Sequence, residues 1–114
     1  MIKLTKNQRK QVRNLIDLAH SRELSDALTS LEREFTRWRA DEINAFELDE
    51  LIHKHHQGAS RKIWKRYSST SDWEIALPGA LHLGALTRDD FPEDLWNVIG
   101  PRIEEIKDAL FSQA

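Results

Sequence analysis

Hydrophobic residues along this chain recur at the spacing of α-helices, and no segment shows the strict alternation that indicates a β-strand. Thr5 can cap a first helix, in which Val12, Leu15, Ile16 and Ala19 form one apolar stripe. A second stripe continues through six further residues: Leu24, Ala27, Leu28, Leu31, Phe35 and Trp38.

These two stripes point in different directions. At about 100° per residue they are centred roughly 120° apart, so one straight helix would turn its two halves towards different neighbours. We therefore predict a break or sharp bend at residues 20–23, with Ser21 as the cap of the new helix. The alternative is one unbroken helix, which would favour a dimer.

Start and stop signals divide the rest of the chain. Asn44 and Glu47 have the spacing of a capping box and open a helix over about residues 45–57. Gly58 ends or interrupts that helix, and the helical pattern resumes through Ile63, Trp64 and Tyr67. Residues 68–72 form the clearest linker, in which Ser71 or Asp72 can cap the next helix.

Two proline–glycine pairs predict further interruptions. Pro78-Gly79 indicates a kink or two short helices, and Gly100-Pro101 separates the last two helical segments. Thr87 and Asp90 give another capping signal between them. The pattern as a whole predicts an all-α protein: a compact single domain over residues 1–114, with about five to seven helices and short connections.

Composition narrows the class of protein. The 114 residues include no cysteine, which excludes disulfides, thiolate metal sites and a cysteine nucleophile. No apolar run approaches the roughly 18 residues that span a membrane, and the basic N-terminus lacks the apolar segment of a signal peptide. We therefore expect a soluble cytoplasmic protein without a membrane partner.

Charge is distributed in alternating blocks. Residues 1–22 carry a net charge of +5 and residues 23–59 carry −5, whereas residues 60–71 hold four basic residues and no acidic one. The last block, residues 72–114, is acidic again. Such alternation fits helices that pack on one another or on a charged partner, and it argues against a uniformly basic nucleic-acid-binding domain.

The sharpest candidate site lies on one flank of the helix at residues 45–57, where Asp49, His53 and His56 follow one another at helical spacing. An Asp–His pair at i, i+4 or a His–His pair at i, i+3 can hold one cation. Asp49 and His56 are about 10 Å apart along the axis, so one ion cannot bind all three side chains. Further ligands would have to come from another helix, and no HExxH motif is present.

A divalent metal is therefore only a weak candidate cofactor. The alternatives are a solvated polar flank and a local ion pair between Asp49 and His53. His55 falls within the apolar stripe of Leu48, Leu51 and Ile52, and we expect it to be a hydrogen-bonded core histidine.

A basic and aromatic segment follows, with Arg61 at its start. Its basic side chains could neutralise phosphates and its aromatic rings could stack on bases, so this segment offers a possible face for single-stranded nucleic acid. Helical periodicity instead favours inward aromatic residues and solvated cations. The residues of the possible face are Lys62, Trp64, Lys65, Arg66 and Tyr67.

Arg61 offers one more possibility, a small anion site if a new helix begins at Ser60. No complete catalytic motif occurs, so we favour a non-enzymatic module that binds another protein or forms a homodimer. A metal-binding protein or metal-dependent enzyme, using the flank of His53 and His56, is the alternative. A nucleic-acid-associated factor using residues 61–67 is the third hypothesis.

Overall fold

The computed structural model describes residues 2–68 and 72–111, and these residues form helices without any β-strand. Four helices follow one another: α1 (Lys6–Arg39), α2 (residues 45–68), α3 (Trp73–Leu83) and α4 (Glu93–Phe111), with a short 3₁₀ turn at Arg88–Asp90 before α4. The all-α class is confirmed, whereas the prediction of five to seven helices was wrong.

Helix α1 is unbroken, which corrects the predicted bend at residues 20–23. Thr5 caps it as predicted, because its hydroxyl accepts from the Gln8 N–H at 3.0 Å while the Gln8 side chain accepts from the Thr5 N–H. The helix needs no bend, because its two stripes lie at different positions along its axis and face different neighbours. The first stripe lies in the main core, and the second lies beside α2.

Helix α2 is continuous through Gly58. Its α-helical turns Ala45–His55 and Arg61–Ser68 flank a π-helical segment, His56–Ser60. The predicted capping box is confirmed, with the Glu47 N–H donating to the Asn44 side chain at 2.8 Å.

The two proline–glycine pairs likewise do not divide α3 or α4 into separate helices. Pro78 is buried inside α3, which ends only at Gly84, where φ is +80°. Pro101 lies inside α4, where Leu95, Ile99 and Ile103 are each 0% exposed on one continuous stripe. Burial of such a stripe outweighs the loss of one helical hydrogen bond at a proline.

Gly100 has a packing role in α4. A Cβ at this position would come within 2.7 Å of three atoms of the Trp96 indole ring, so the ring lies directly over the glycine. The Gly100-Pro101 pair therefore marks a close contact within a helix, and not the boundary that the sequence predicted.

The molecule is elongated and has two unlike ends. Its radius of gyration is 17.6 Å, against about 13 Å expected for a compact domain of this length. The core end combines the first half of α1 and the end of α2 with α3 and α4, and it holds the main cluster of buried residues. Residues 23–60, a hairpin of α1 and α2, form what we call the arm. The predicted compact shape was therefore wrong.

Candidate interaction surface

The predicted histidine flank lies at the surface of the arm. Asp49, His53 and His56 are all exposed, and His55 is half-buried, less enclosed than the core position we predicted. No group of three or more His, Asp or Glu side chains with metal-binding geometry occurs in residues 2–68 and 72–111. The two histidines on other helices, His20 and His82, are engaged in ring stacking with Tyr67 and Phe111.

The π-helical segment changes which residues of α2 face inward. The half-buried positions are His55 and then Ser60, five residues later, and they are followed by the buried Ile63 and Tyr67. An uninterrupted α-helix would have placed Ala59 inward, but Ala59 is exposed. One extra residue in the turn therefore brings Ile63 and Tyr67 onto the core.

The predicted basic and aromatic face is divided by this geometry. Lys62, Trp64 and Lys65 are exposed, but Arg66 is half-buried and Tyr67 is only 4% exposed. Arg66 and the Tyr67 hydroxyl both donate to the carboxylate of Glu23 on α1. Two members of the face therefore join the helices to each other, and no continuous basic surface is left.

The same contacts define a junction between the arm and the core end. Burial, reinforced by the Glu23 carboxylate, raises the pKa of Tyr67 well above its usual range. At the residue of α1 directly before Glu23, Arg22 donates to both oxygens of Asp90, at 2.7 and 3.0 Å, and to the Ala85 carbonyl at 3.1 Å. The residues where we predicted a break are instead those that fix α1 to its neighbours.

One side of the arm carries its ion pairs, and we call it the paired side. Besides Glu23 and Arg66, it holds Arg37, which contacts Glu34 at 2.8 Å and Glu42 at 3.5 Å. A cleft of about 510 Å³ joins Arg37 of α1 to residues of α2 on this side: Glu47, Leu51 and Lys54.

The opposite side is apolar, and we call it the open face. Leu28 lies nine residues before Arg37, which turns it roughly 180° away from the paired side. Trp64 comes two residues before Arg66, and Asp49 comes two residues after Glu47. Because two residues turn an α-helix by about 200°, both side chains point away from the paired side. Leu28 is 48% exposed and Trp64 55% exposed. The open face comprises five residues of the arm and continues onto Trp64 just beyond its base; the five are Leu24, Leu28, Phe35, Ile52 and His56.

The open face also includes a shallow cleft and two charged residues at its margin. The cleft, of about 370 Å³, lies over the π-helical segment between His56, Ser60, Arg61 and Trp64. Asp49 marks the margin near the tip of the arm and Arg61 the margin near its base. Neither side chain forms an ion pair with any residue that the structure describes.

The sequence pattern indicated the members of the second stripe but not their exposure. Periodicity gives the direction of a stripe, whereas its burial depends on how many helices cover it. In the arm α2 is the main cover of the second stripe of α1, only Ala27 also packs against the core cluster, and none of the six residues is fully buried. That shortage of covering layers is the signal that sequence reasoning missed.

A cavity larger than either cleft of the arm lies at the core end. It measures about 670 Å³ and combines Arg9, Arg13 and Asp17 with an apolar floor that includes Ile16 and Trp73. It has no member of the predicted metal flank and only Tyr67 of the predicted basic face.

Comparisons with known proteins provide no family. No protein-family model matches the chain, and neither the curated proteins nor the solved structures yield a significant match. Among the residues that the structure describes, no helix has the length and apolar character needed to cross a bilayer. The function is therefore argued from the surface alone.

Proposed function

We propose that this protein is a non-catalytic binding module that engages another polypeptide, or a second copy of itself, through the open face of the arm. One observation carries the proposal: the helical hairpin keeps large apolar side chains in water along one continuous side, Leu28 and Trp64 among them. Leaving such surface exposed costs roughly 25 cal/mol per Å², which a covering partner recovers.

The open face differs from the exposed apolar residues of the core end, and also from Phe46, which is 88% exposed at the tip of the arm and borders the cleft of the paired side. Ile75, Leu83 and Leu110 at the core end are each more than half exposed, but they lie on different helices or helix ends. Isolated exposed side chains of this kind are normal in globular proteins. The open face instead combines apolar residues of two adjacent helices over several turns, as binding surfaces for helices do.

Charge favours a polypeptide over a nucleic acid as the partner. Residues 23–59, most of the arm, carry a net charge of −5, which would repel phosphate. Arg66 and Tyr67, which the nucleic-acid hypothesis needs, are held inward by Glu23. The absence of cysteine agrees with action in the cytoplasm, which we include in the proposal.

A photo-crosslinking experiment in living cells tests this function. A photoreactive benzoylphenylalanine in place of Leu28 should give covalent polypeptide adducts, because Leu28 lies at the centre of the open face. The matched control is Arg33, which is exposed on the back of the same helix. The proposal is overturned if Leu28 gives no more polypeptide adducts than Arg33, or if its adducts contain nucleic acid.

A further inference from the structure

We propose that the partner is a second copy of this chain, which packs its open face antiparallel onto the first to complete a four-helix bundle. This inference rests on the proposed function, because it names the occupant of the same surface. The two copies are related by a twofold axis perpendicular to the arm. Every contact at such an interface therefore occurs twice.

Charge along α2 selects this arrangement. The part of α2 near the tip of the arm is acidic, and of its three acids Asp49 lies at the open face, whereas Glu47 and Glu50 border the cleft of the paired side. The part near the base has four basic residues and no acidic one; Arg61 lies at the margin of the open face, whereas Arg66 is paired with Glu23 on the other side. Antiparallel packing places the negatively charged tip of one arm against the positively charged base of the other. Parallel packing would place like charges together.

Asp49 and Arg61 are the residues through which this complementarity acts at the open face. They lie at its margin, twelve residues and about 18 Å apart along the helix. In the antiparallel dimer Asp49 of each copy lies beside Arg61 of the other, and the twofold axis passes near His55 and His56, midway between them. Neither side chain is paired with a charged group in residues 2–68 and 72–111, so this contact replaces no ion pair seen there.

The apolar residues of the open face supply the area. Leu28 and Trp64 are exposed, and Leu24, Phe35 and Ile52 are half-buried, as in a bundle from which one layer has been removed. A face about 22 Å long and two helices wide offers roughly 400 Å² per copy, at the small end of the range for weak, reversible interfaces. We therefore expect a reversible dimer in the micromolar range.

Charge reversal on the purified full-length protein tests the pairing. Sedimentation equilibrium should give a monomer–dimer equilibrium for the native chain. Asp49→Arg or Arg61→Asp alone should weaken it about tenfold, because two contacts of the size of exposed ion pairs become repulsive. An equimolar mixture of the two variants, and the double variant D49R/R61D, should restore it. The matched control Arg33→Asp, on the back of α1, should leave it unchanged.

The absence of cysteine allows a direct test of the orientation. Oxidation of a mixture of Asp49→Cys and Arg61→Cys copies should give a disulfide-linked dimer of the two variants, whereas Asp49→Cys alone should stay largely monomeric. Crosslinking of Asp49→Cys to itself, with no effect of the single charge reversals, would overturn the antiparallel arrangement.

The two proposals fail in different ways. A native chain that stays monomeric up to near-millimolar concentration overturns the homodimer. If the Leu28 photoadducts then contain a different polypeptide, the binding function stands with another partner. If Leu28 gives no polypeptide adducts, both proposals are overturned.

Discussion

The two halves of α1 belong to one continuous helix and carry apolar stripes of similar composition, yet they have different fates. In the first half Val12, Leu15, Ile16 and Ala19 are at most 8% exposed. In the second half none of the six stripe residues is fully buried, and Leu28 is 48% exposed. The first half lies in the core cluster with residues of α2, α3 and α4, whereas the second half packs mainly against α2.

This difference shows that amphipathic pattern and burial are separate properties. A helix needs several neighbours to remove a whole stripe from water, and a two-helix hairpin cannot supply them. We therefore expect the core end to provide most of the stability of the chain. The arm keeps its helical form partly through the junction at its base, where α1 and α2 exchange buried and charged contacts.

The largest expected effect contrasts one leucine from each region. Leu95→Ala at the core end should lower the free energy of unfolding by about 3 kcal/mol, because Leu95 is 0% exposed and its removal leaves a cavity. Leu31→Ala in the arm should cost about 1 kcal/mol, because Leu31 is only half-buried. Urea denaturation followed by circular dichroism measures both.

Protein concentration must be kept low in this comparison, so that a dimer does not stabilise the arm. Equal losses for the two variants at low concentration would contradict the difference between the two regions, because they would mean that the arm is packed as tightly as the core end.

The junction should show the next largest effect. Glu23→Gln removes the charge that compensates the half-buried Arg66, and we expect a loss of about 2 kcal/mol in the free energy of unfolding. The matched control is Glu34→Gln, which affects the ion pair with Arg37 on the arm and should cost less than about 0.5 kcal/mol. Similar losses for the two variants would mean that Glu23 is no more enclosed than a surface residue.

The sequence predicted those features of the fold that depend on local chemistry. The all-α class follows from the 3.6-residue period, and the caps at Thr5 and Asn44 depend on side chains three residues away. Features that depend on distant residues were predicted wrongly. The continuity of α1 past His20 depends on Tyr67 and Asp90, which lie more than forty residues along the chain.

The candidate site was predictable to a similar extent. Periodicity placed Asp49, His53 and His56 together on one flank of α2, and they do lie at its surface. The π-helical segment was not predictable from Gly58 alone, and it decides that Tyr67 faces the core and Trp64 the solvent. Which flank of α2 borders the apolar side of α1 depends on helix packing, which a single sequence does not encode locally.

A smaller effect is expected at the second contact of the junction. The Arg22 guanidinium and the Thr87 N–H, which donates at 2.8 Å, lower the pKa of Asp90 to about 2 from 3.8. A carboxylate with a lowered pKa in the folded state stabilises above its unfolded value, and this contribution is lost as pH falls towards 2. Asp90→Asn should therefore cost about 1 kcal/mol near pH 7, and the difference from the native chain should disappear in acid. Thermal unfolding at a series of pH values measures it.

Tyr67 provides the smallest and most specific test of the junction, because it is the only tyrosine in the chain. Its pKa is raised by burial and by Glu23, so the folded state holds the phenol proton more tightly than the unfolded state does. The resulting stability is present below about pH 10 and is lost as pH rises further. Tyrosinate absorbance should thus appear only as circular dichroism reports unfolding.

The substitution Tyr67→Phe should cost about 1 kcal/mol at neutral pH, the value of one hydrogen bond, and the stability of this variant should fall less steeply above pH 10. Tyrosinate formation near pH 10 in a still-folded chain would place the phenol in water. The junction between the arm and the core end would then lack its buried contact between Tyr67 and Glu23.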